Sequence, residues 1–292
     1  MTETTPLPAQ PTAGDWTRLA LPGLIWGTSF YFIAEGLDAF PAIMITPMRI
    51  GFGFVTLACV PASRTRVHRD AWRRIALLAV LWMAVPLSMF PFAEERVTSS
   101  VTGMLNGATP LFVATVTALV FRARPSRPQV VGLLVGFIGV IAIAIPTMTE
   151  GHSSVVGVAM ILFALLCYGF ALNIAAPLQQ QYGALPVLWR TQAVALALTV
   201  PFGLTGVGDV HFAWRPLLMV VALGVFGTAI AYVLAATNAG RLGSTRASLS
   251  IYLTPVVSLA LGAIVRNEVV HLLSVLGCVL ALVGAFLAGR KA

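Results

Sequence analysis

Apolar residues fill most of this chain in ten runs of about 20 residues, which short polar or charged connections separate. A helix of about 20 residues crosses a hydrocarbon core of about 30 Å. The pattern therefore predicts an all-α integral membrane protein with ten transmembrane helices. The predicted spans are residues 17–35, 41–62, 73–92, 97–121, 127–147, 154–178, 185–205, 213–236, 243–265 and 269–289.

The two halves of the chain repeat the same pattern at an offset of 145 residues. Thr109-Pro110 in the first half matches Thr254-Pro255 in the second half. The same ungapped offset aligns further identical residues, namely Arg96 with Arg241, Ser99 with Ser244, Gly132 with Gly277, and Gly139 with Gly284. So many identities in matching contexts indicate an internal duplication.

Each half contains five predicted spans, and because five is odd the second copy must enter the membrane from the opposite side. Inverted-topology repeats of this kind are typical of secondary transporters, which bind substrate near the midplane between the halves. The sequence therefore divides into a tail at residues 1–16, a first five-helix repeat at 17–147 and a second at 148–292. The tail is polar and lacks the basic start of a signal peptide, so we expect it to be cytoplasmic.

The composition agrees with a lipid environment. The chain is 58% hydrophobic and 10% charged, with a mean hydropathy of +0.91. A soluble domain of 292 residues cannot bury that much apolar surface. The three cysteines and four histidines show no metal-binding spacing, and no GxxxxGK[ST] loop occurs. We therefore predict no metal and no cofactor.

The basic residues predict the orientation. The alternating connections that begin at the N-terminus hold 14 of the 18 Lys and Arg residues, whereas the other connections hold Arg96, Arg215 and Arg266. The positive-inside rule assigns the Arg-rich set to the cytoplasm, together with both termini. The net charge of +8 reflects this bias. The lipid bilayer is therefore a predicted partner, and nucleic acid is not, because stacking aromatics are not interleaved with the charges.

The residues resemble those of the EamA-type transporters of the drug/metabolite transporter superfamily over about residues 17–290. The matching features are Trp26-Gly27, its echo Tyr168-Gly169, Pro41 followed by Arg49, and the polar-small runs Ser99…Pro110 and Ser244…Pro255. Members usually carry an acidic residue after spans 4 and 9. Here Glu268 follows span 9, whereas Phe121-Arg122-Ala123-Arg124 follows span 4. The resemblance implies export or exchange of amino acids and related metabolites across the bacterial inner membrane.

Span 4 presents small and polar residues on one helical face, which includes Ser99, Thr102 and Asn106. Pro110 lacks an N–H group, so the carbonyl of Asn106 loses its helical partner. Polar groups at membrane depth require protein or water around them. Asn106 is therefore a candidate substrate-binding residue, and close helix packing is the alternative explanation.

Further candidate substrate-binding residues are aromatic or polar groups within spans 1, 6, 8 and 9. They are Trp26, Tyr168, Asn173, Tyr232 and Tyr252. A Trp N–H or Tyr O–H inside a membrane requires a partner, which a water-filled cavity supplies. We favour cavity lining over packing for Trp26, Tyr168 and Tyr232.

Arg49 is the one charged residue deep within a predicted span. An unpaired Arg at a helix centre costs about 3 kcal/mol by insertion scales. Arg49 therefore requires acceptors, for which Glu35 and helix C-terminal carbonyls are candidates. It is either a clamp for a substrate carboxylate or a structural tie between spans, and we favour the tie.

These features together predict a secondary transporter of a small neutral or zwitterionic metabolite, with amino acids as the class that the family resemblance implies. A multidrug or organic-cation efflux transporter is the alternative from the same class. A membrane receptor or structural protein is the alternative from another class. An enzyme is not predicted, because the spans offer no base, nucleophile or metal ligands. The Gly23-x₃-Gly27 and Gly132-x₃-Gly136 motifs alone give weak support to a homodimer.

Overall fold

The computed structural model describes residues 13–122, 125–242 and 248–289, and the described residues form helices and connections without a strand. Seven stretches are long and apolar enough to cross a membrane, and Ala42–Ala58 and Ser250–Val265 are shorter apolar helices. The prediction of an all-helical integral membrane protein is thus confirmed. The predicted tail lies mostly outside the described residues, as does the start of span 9.

The helices are numbered in chain order. The first half contains α1 (Ala13–Leu37), α2 (Ala42–Ala58), α3 (Arg69–Glu94), α4 (Ser99–Leu119) and α5 (Arg127–Met148). The second half contains α6 (His152–Tyr182), α7 (Ala184–Gly203), α8 (214–242), α9 (Leu253–Val265) and α10 (Leu272–Gly289). Most of these boundaries lie within a few residues of the predicted spans.

Irregular turns occur at matching positions of the two halves, within α3, α4 and α8 and directly before α9. π-helical turns occur at Ala79–Ala84 in α3 and at Leu223–Ile230 in α8. α4 breaks between Asn106 and Thr109, and a 3₁₀ turn at Ser248–Tyr252 precedes α9. π-turns leave local backbone groups without their usual α-helical partners and are frequent at functional sites.

Glycines bring α5 and α10 into backbone contact. A side chain on Gly132 would collide with the backbone of Gly284, and one on Gly139 would collide with the backbone of Gly277. Shifting the residue numbers by 145 converts each of these two contacts into the other. The order of the contacts along the two helices shows that the helices are antiparallel. Small residues permit this approach, which dispersion contacts stabilise in the absence of a hydrophobic driving force.

Two other pairs of corresponding helices also pack antiparallel. In the α2–α7 pair, Gly203 approaches Pro47, and the rings of Phe54 and Trp189 stack with centroids 5.4 Å apart. In the α4–α9 pair, Gly107 approaches Pro255 and Gly262 approaches Ser100. These packings place α1, α3, α4, α6 and α8 around the centre of the bundle.

The bundle has two ends, which we name after residues that lie there. At the Glu268 end, the connection after α9 meets the start of α4, and Arg215 at the start of α8 meets Glu35 in α1. At the Gln179 end, Arg190 in α7 donates hydrogen bonds to the carbonyls of Ser63 and Thr65. The charge pattern predicts that the Gln179 end faces the cytoplasm.

Candidate functional site

A cavity of about 280 Å³ lies at the centre of the bundle. Its lining comes from α1, α2, α3, α4, α6 and α8 and from the 3₁₀ turn before α9. Both halves of the chain therefore contribute to one chamber. Its volume is close to the lower limit of small-molecule sites, which is about 300 Å³.

Five of the seven predicted substrate-binding residues line this cavity. They are Trp26, Arg49, Asn106, Tyr168 and Tyr232. The mid-span depth of these residues, and the echo of Trp26-Gly27 by Tyr168-Gly169, were the signals that indicated a shared chamber. Their role in binding substrate remains a prediction.

Tyr252 and Asn173 are not among the lining residues found in the described part of the chain. Tyr252 lies in the 3₁₀ turn beside Ile251, which does line the cavity. Asn173 Nδ2 donates to the Gly169 carbonyl at 2.8 Å, and its Oδ1 accepts from Thr117 Oγ1 at 2.9 Å. Asn173 therefore connects α6 to α4.

The aromatic wall of the cavity centres on Tyr232. Its ring lies edge-on to Trp26, with centroids 5.5 Å apart, and to Trp82, with centroids 5.2 Å apart. We expected the Trp26 N–H to be satisfied by water in the cavity, but it donates to the carbonyl of Gly227 at 3.2 Å. Gly227 belongs to the π-turn of α8, so this turn fixes the indole.

Sequence reasoning missed Trp82 and Gln179 as cavity-lining residues. Trp82 lies within the π-turn of α3, and its mid-span position was an available signal. Gln179 belongs to the last turns of α6, where the polar run Gln179-Gln180-Gln181 resembles a helix end. Gln179 Nε2 is inaccessible to solvent and has no hydrogen-bond partner among the described residues.

The break in α4 brings Asn106 to the cavity. The sequence predicts that Pro110 frees the carbonyl of Asn106, and in the structure Thr109 Oγ1 donates to that carbonyl at 2.6 Å. Gly107, between the two helical segments, has no room for a side chain against Pro255. Asn106 is 9% exposed and lines the cavity, as does Thr109.

Arg49 is 3% exposed, and its Nε donates to Thr228 Oγ1 at 3.1 Å. Thr228 is itself fixed, because Gln192 Nε2 donates to its carbonyl at 2.7 Å. The expectation that Glu35 accepts from Arg49 is wrong. Glu35 instead forms ion pairs of 2.9 Å with Arg215 and with Arg266 at the Glu268 end.

The cavity is closed toward the Glu268 end by apolar side chains. Phe30, Ile33 and Phe90 are 4%, 1% and 2% exposed, and the two Phe rings lie edge-on with centroids 5.5 Å apart. At the opposite end of the lining, Ala176 is exposed, and Gln179 is partly exposed. The chamber is therefore closed on one side and accessible on the other.

Beyond the Phe30–Phe90 contact lies a second cavity of about 460 Å³ at the Glu268 end. Its lining includes Asp38, Glu94, Arg266 and Glu268. Both carboxyl oxygens of Glu94 are inaccessible to solvent and have no hydrogen-bond partner among the described residues. The two cavities thus differ in character, since the lining of the central one is largely apolar and that of the second is rich in acidic residues.

Glu268 caps the start of α4. Its Oε1 accepts from the N–H and the O–H of Ser99 at 3.0 and 2.7 Å, and its Oε2 accepts from the corresponding groups of Ser100 at 2.9 and 2.5 Å. Asn267 makes this possible, because its φ of 53° turns the chain back at the end of α9. Four donors to one carboxylate at a helix N-terminus stabilise its charge.

A model of the EamA-like transporter family matches the chain twice, at residues 18–145 and 155–290. A crystal structure covers 95% of this chain and 97% of its own chain with a TM-score of 0.64. That likeness, at 16% sequence identity, concerns the fold alone.

The chain is also similar to named transporters over most of its length. An uncharacterized transporter of Archaeoglobus fulgidus is 23% identical, over 94% of this chain and 99% of that protein. A probable terminal-alkyne amino-acid exporter of Streptantibioticus cattleyicolor is 26% identical, over 94% and 92%. A probable amino-acid metabolite efflux pump of Salmonella typhimurium is 23% identical, over 90% and 91%.

Proposed function

We propose that this chain, which belongs to the EamA-like transporter family, exports a small neutral or zwitterionic metabolite across the bacterial inner membrane by alternating access. The observation that carries the proposal is the central cavity, which both halves line and which is closed at one end only. Amino acids or related compounds are the favoured class, because two similar proteins are named as exporters of such compounds.

The proposed architecture is ten transmembrane helices in two inverted repeats, at residues 17–147 and 148–292. The antiparallel packing of α2–α7, α4–α9 and α5–α10 supports opposite orientations of the two halves. Among the described residues, the non-glycine residues with positive φ are Arg122 and Asn267, at 54° and 53°. They are 145 residues apart, which supports the duplication. Both termini would lie in the cytoplasm, and a homodimer is compatible with the fold.

The proposed substrate site consists of Trp26, Arg49, Asn106, Tyr168 and Tyr232. Aromatic rings would contact the apolar part of the solute, and Asn106 would bind its polar part. Tyr252 and Asn173 would support this site from neighbouring positions. Tyr252 adjoins the lining residue Ile251, and Asn173 joins two of the lining helices.

Alternating access would require the Glu268 end to open while the Gln179 end closes. In this proposal, the structure is the state that is open toward the Gln179 end. Opening the Glu268 end would break the contacts of Glu268 with Ser99 and Ser100 and the ion pairs of Glu35. These contacts join α1 and α4 of the first half to residues of the second half.

A transporter of organic cations is the second candidate, but the cavity argues against it. None of the lining residues found in the described part of the chain is acidic, whereas Arg49 is basic. A site with this charge repels a cation unless its aromatic rings compensate.

Reconstitution into proteoliposomes tests the proposal. Labelled amino acids, neutral metabolites and a quaternary ammonium compound would be assayed separately, with and without a pH gradient. We expect saturable flux of at least one neutral or zwitterionic solute above the rate of empty liposomes. Flux of the quaternary ammonium compound alone would favour the second candidate, and binding without flux of any solute would favour a receptor.

A further inference from the structure

We propose that Arg49 binds the carboxylate of the transported solute and that the cavity does not require an amino group. This inference rests on the proposed transport function and extends its substrate class from amino acids to apolar or aromatic carboxylates that lack an amino group. It departs from the structural role that the sequence favoured for Arg49. The reason is that its side chain makes one hydrogen bond and no ion pair with the described residues.

The guanidinium of Arg49 has an anchor and forms no ion pair with a described residue. Its Nε donates to Thr228 Oγ1 at 3.1 Å. None of the ion pairs found between described residues includes Arg49, and its terminal nitrogens donate to no acceptor in the same part of the chain. Glu35 is occupied by two other arginines, and the buried oxygens of Glu94 accept no hydrogen bond there.

The anchor holds the guanidinium at a fixed place in the cavity wall. Thr228 Oγ1 also donates to the Leu223 carbonyl at 3.2 Å, so the π-turn of α8 orients the acceptor. Gly224 allows the approach, since a side chain there would meet the carbonyl of Arg49. With Nε held, the two terminal nitrogens remain for an anion, which a guanidinium fork binds in bidentate fashion.

The described residues of the lining supply no carboxylate that could pair with the ammonium group of an amino acid. The described lining residues include no Asp or Glu, and the polar uncharged groups that could accept from an ammonium belong to Ser29, Asn106, Thr109 and Gln179 and to two tyrosines. Trp26, Trp82 and Tyr232 offer ring faces, which tolerate a cation without fixing its direction. A buried guanidinium without a partner costs free energy. A carboxylate that enters the cavity therefore gains a charge-assisted contact with Arg49, which an uncharged solute does not gain.

Three related probes separate the two charged groups of an amino acid. L-phenylalanine carries both groups, 3-phenylpropionate carries the carboxylate alone, and L-phenylalaninamide carries the amine alone. Their binding to the purified protein would be measured by isothermal titration calorimetry. We expect the two carboxylates to bind within about fivefold of one another and the amide to bind at least about tenfold more weakly, as the loss of a charge-assisted hydrogen bond requires.

Arg49→Lys should weaken both carboxylates by about tenfold and leave the amide unchanged, because Lys keeps the charge and loses the fork. Arg190→Lys is the matched control, because Arg190 donates to backbone carbonyls of the connection after α2. It should not change the affinity for any of the three probes. The comparison of the three probes on the unmodified protein does not depend on the folding of either variant.

Equal or tighter binding of the amide would overturn the inference, as would the absence of binding by both carboxylates. Transport of other solutes in that case would leave the proposed function intact. Conversely, if carboxylates bind through Arg49 but neither they nor any other solute tested is carried in proteoliposomes, Arg49 is a carboxylate-binding residue and the proposed transport function is contradicted.

Discussion

Glu268 and Ser100 join the second half of the chain to the first, with Glu268 Oε2 accepting from the backbone N–H of Ser100 at 2.9 Å and from its hydroxyl at 2.5 Å. The position that corresponds to Glu268 in the first half is Ala123. The sequence therefore places a carboxylate at this position of the second half and an alanine at the corresponding position of the first half. This asymmetry accounts for a structure that is closed at the Glu268 end.

Glu268→Gln should shift the protein toward the state that is open at the Glu268 end. The amide keeps the size of the side chain but loses the charge-assisted hydrogen bonds, each about 1.5–3 kcal/mol. A single cysteine at Thr109, in a background without Cys59, Cys167 and Cys278, reports access to the cavity. Labelling by a membrane-impermeant thiol reagent from the Glu268 side should become at least about tenfold faster.

Glu95→Gln is the control for that experiment, because Glu95 contacts Arg96 alone among the ion pairs of the described residues. It should leave the labelling rate of Thr109→Cys unchanged. If Glu268→Gln and Glu95→Gln gave equal rates, the cap would not keep this end closed.

Two asparagines should respond in opposite ways to replacement by Leu. Asn106→Leu should preserve the melting temperature and slow transport by about fivefold, since about 1 kcal/mol of polar contact with the solute is lost. Asn173→Leu should lower the melting temperature, because its hydrogen bonds connect α6 to α4. The same thermal and flux assays applied to both variants check this, and a reversed outcome would remove Asn106 from the site.

The glycines between α5 and α10 should be intolerant of side chains. Gly139→Val should destabilise the protein by about 1–3 kcal/mol, as overpacking does, because a side chain there meets the backbone of Gly277 and Ala281. Gly208→Val is the control, since no atom lies within 4 Å of a side chain at that position. Thermal unfolding in detergent compares the two, and equal melting temperatures would contradict the packing of α5 against α10.

The topology follows from the uneven distribution of the 18 basic residues. Single cysteines at the exposed Thr65 and at Ser126 should react only with reagent in the cytoplasm, and cysteines at Asp38 and Asp209 only with reagent outside. Labelling in whole cells and in inside-out vesicles gives the two accessibilities. Reaction of Ser126→Cys and Asp209→Cys from the same side would contradict the inverted repeat.

Much of this arrangement could be predicted because lipid imposes strong constraints on sequence. A span must be apolar over about 20 residues. An internal repeat also presents the same feature twice in the sequence, as Gly132 and Gly277 illustrate. The mid-span depth of Trp26 and Tyr168 indicated a shared chamber for the same reason. The family match then agreed with the resemblance seen in the residues.

Other features could not be predicted because they depend on tertiary contacts. The π-turn that contains Trp82 leaves no pattern in composition, since helical periodicity does not distinguish a π-turn from an α-turn. Glu35 lies near Arg49 in the sequence, but the packing of α1 against α8 pairs Glu35 with Arg215 instead. Asn173 and Asn106 look alike in sequence, and only the packing of α4 against α6 separates their surroundings.

Filling the central cavity tests the account most directly. Ala236 lines the cavity, whereas the next residue, Thr237, is exposed and is not among its described lining residues. Ala236→Trp and Thr237→Trp would be purified, checked for equal folded yield and assayed for solute flux in proteoliposomes. Flux should fall at least about tenfold in Ala236→Trp and stay near the unmodified rate in Thr237→Trp. Undiminished flux through a folded Ala236→Trp protein would contradict the assignment of this cavity as the transport site.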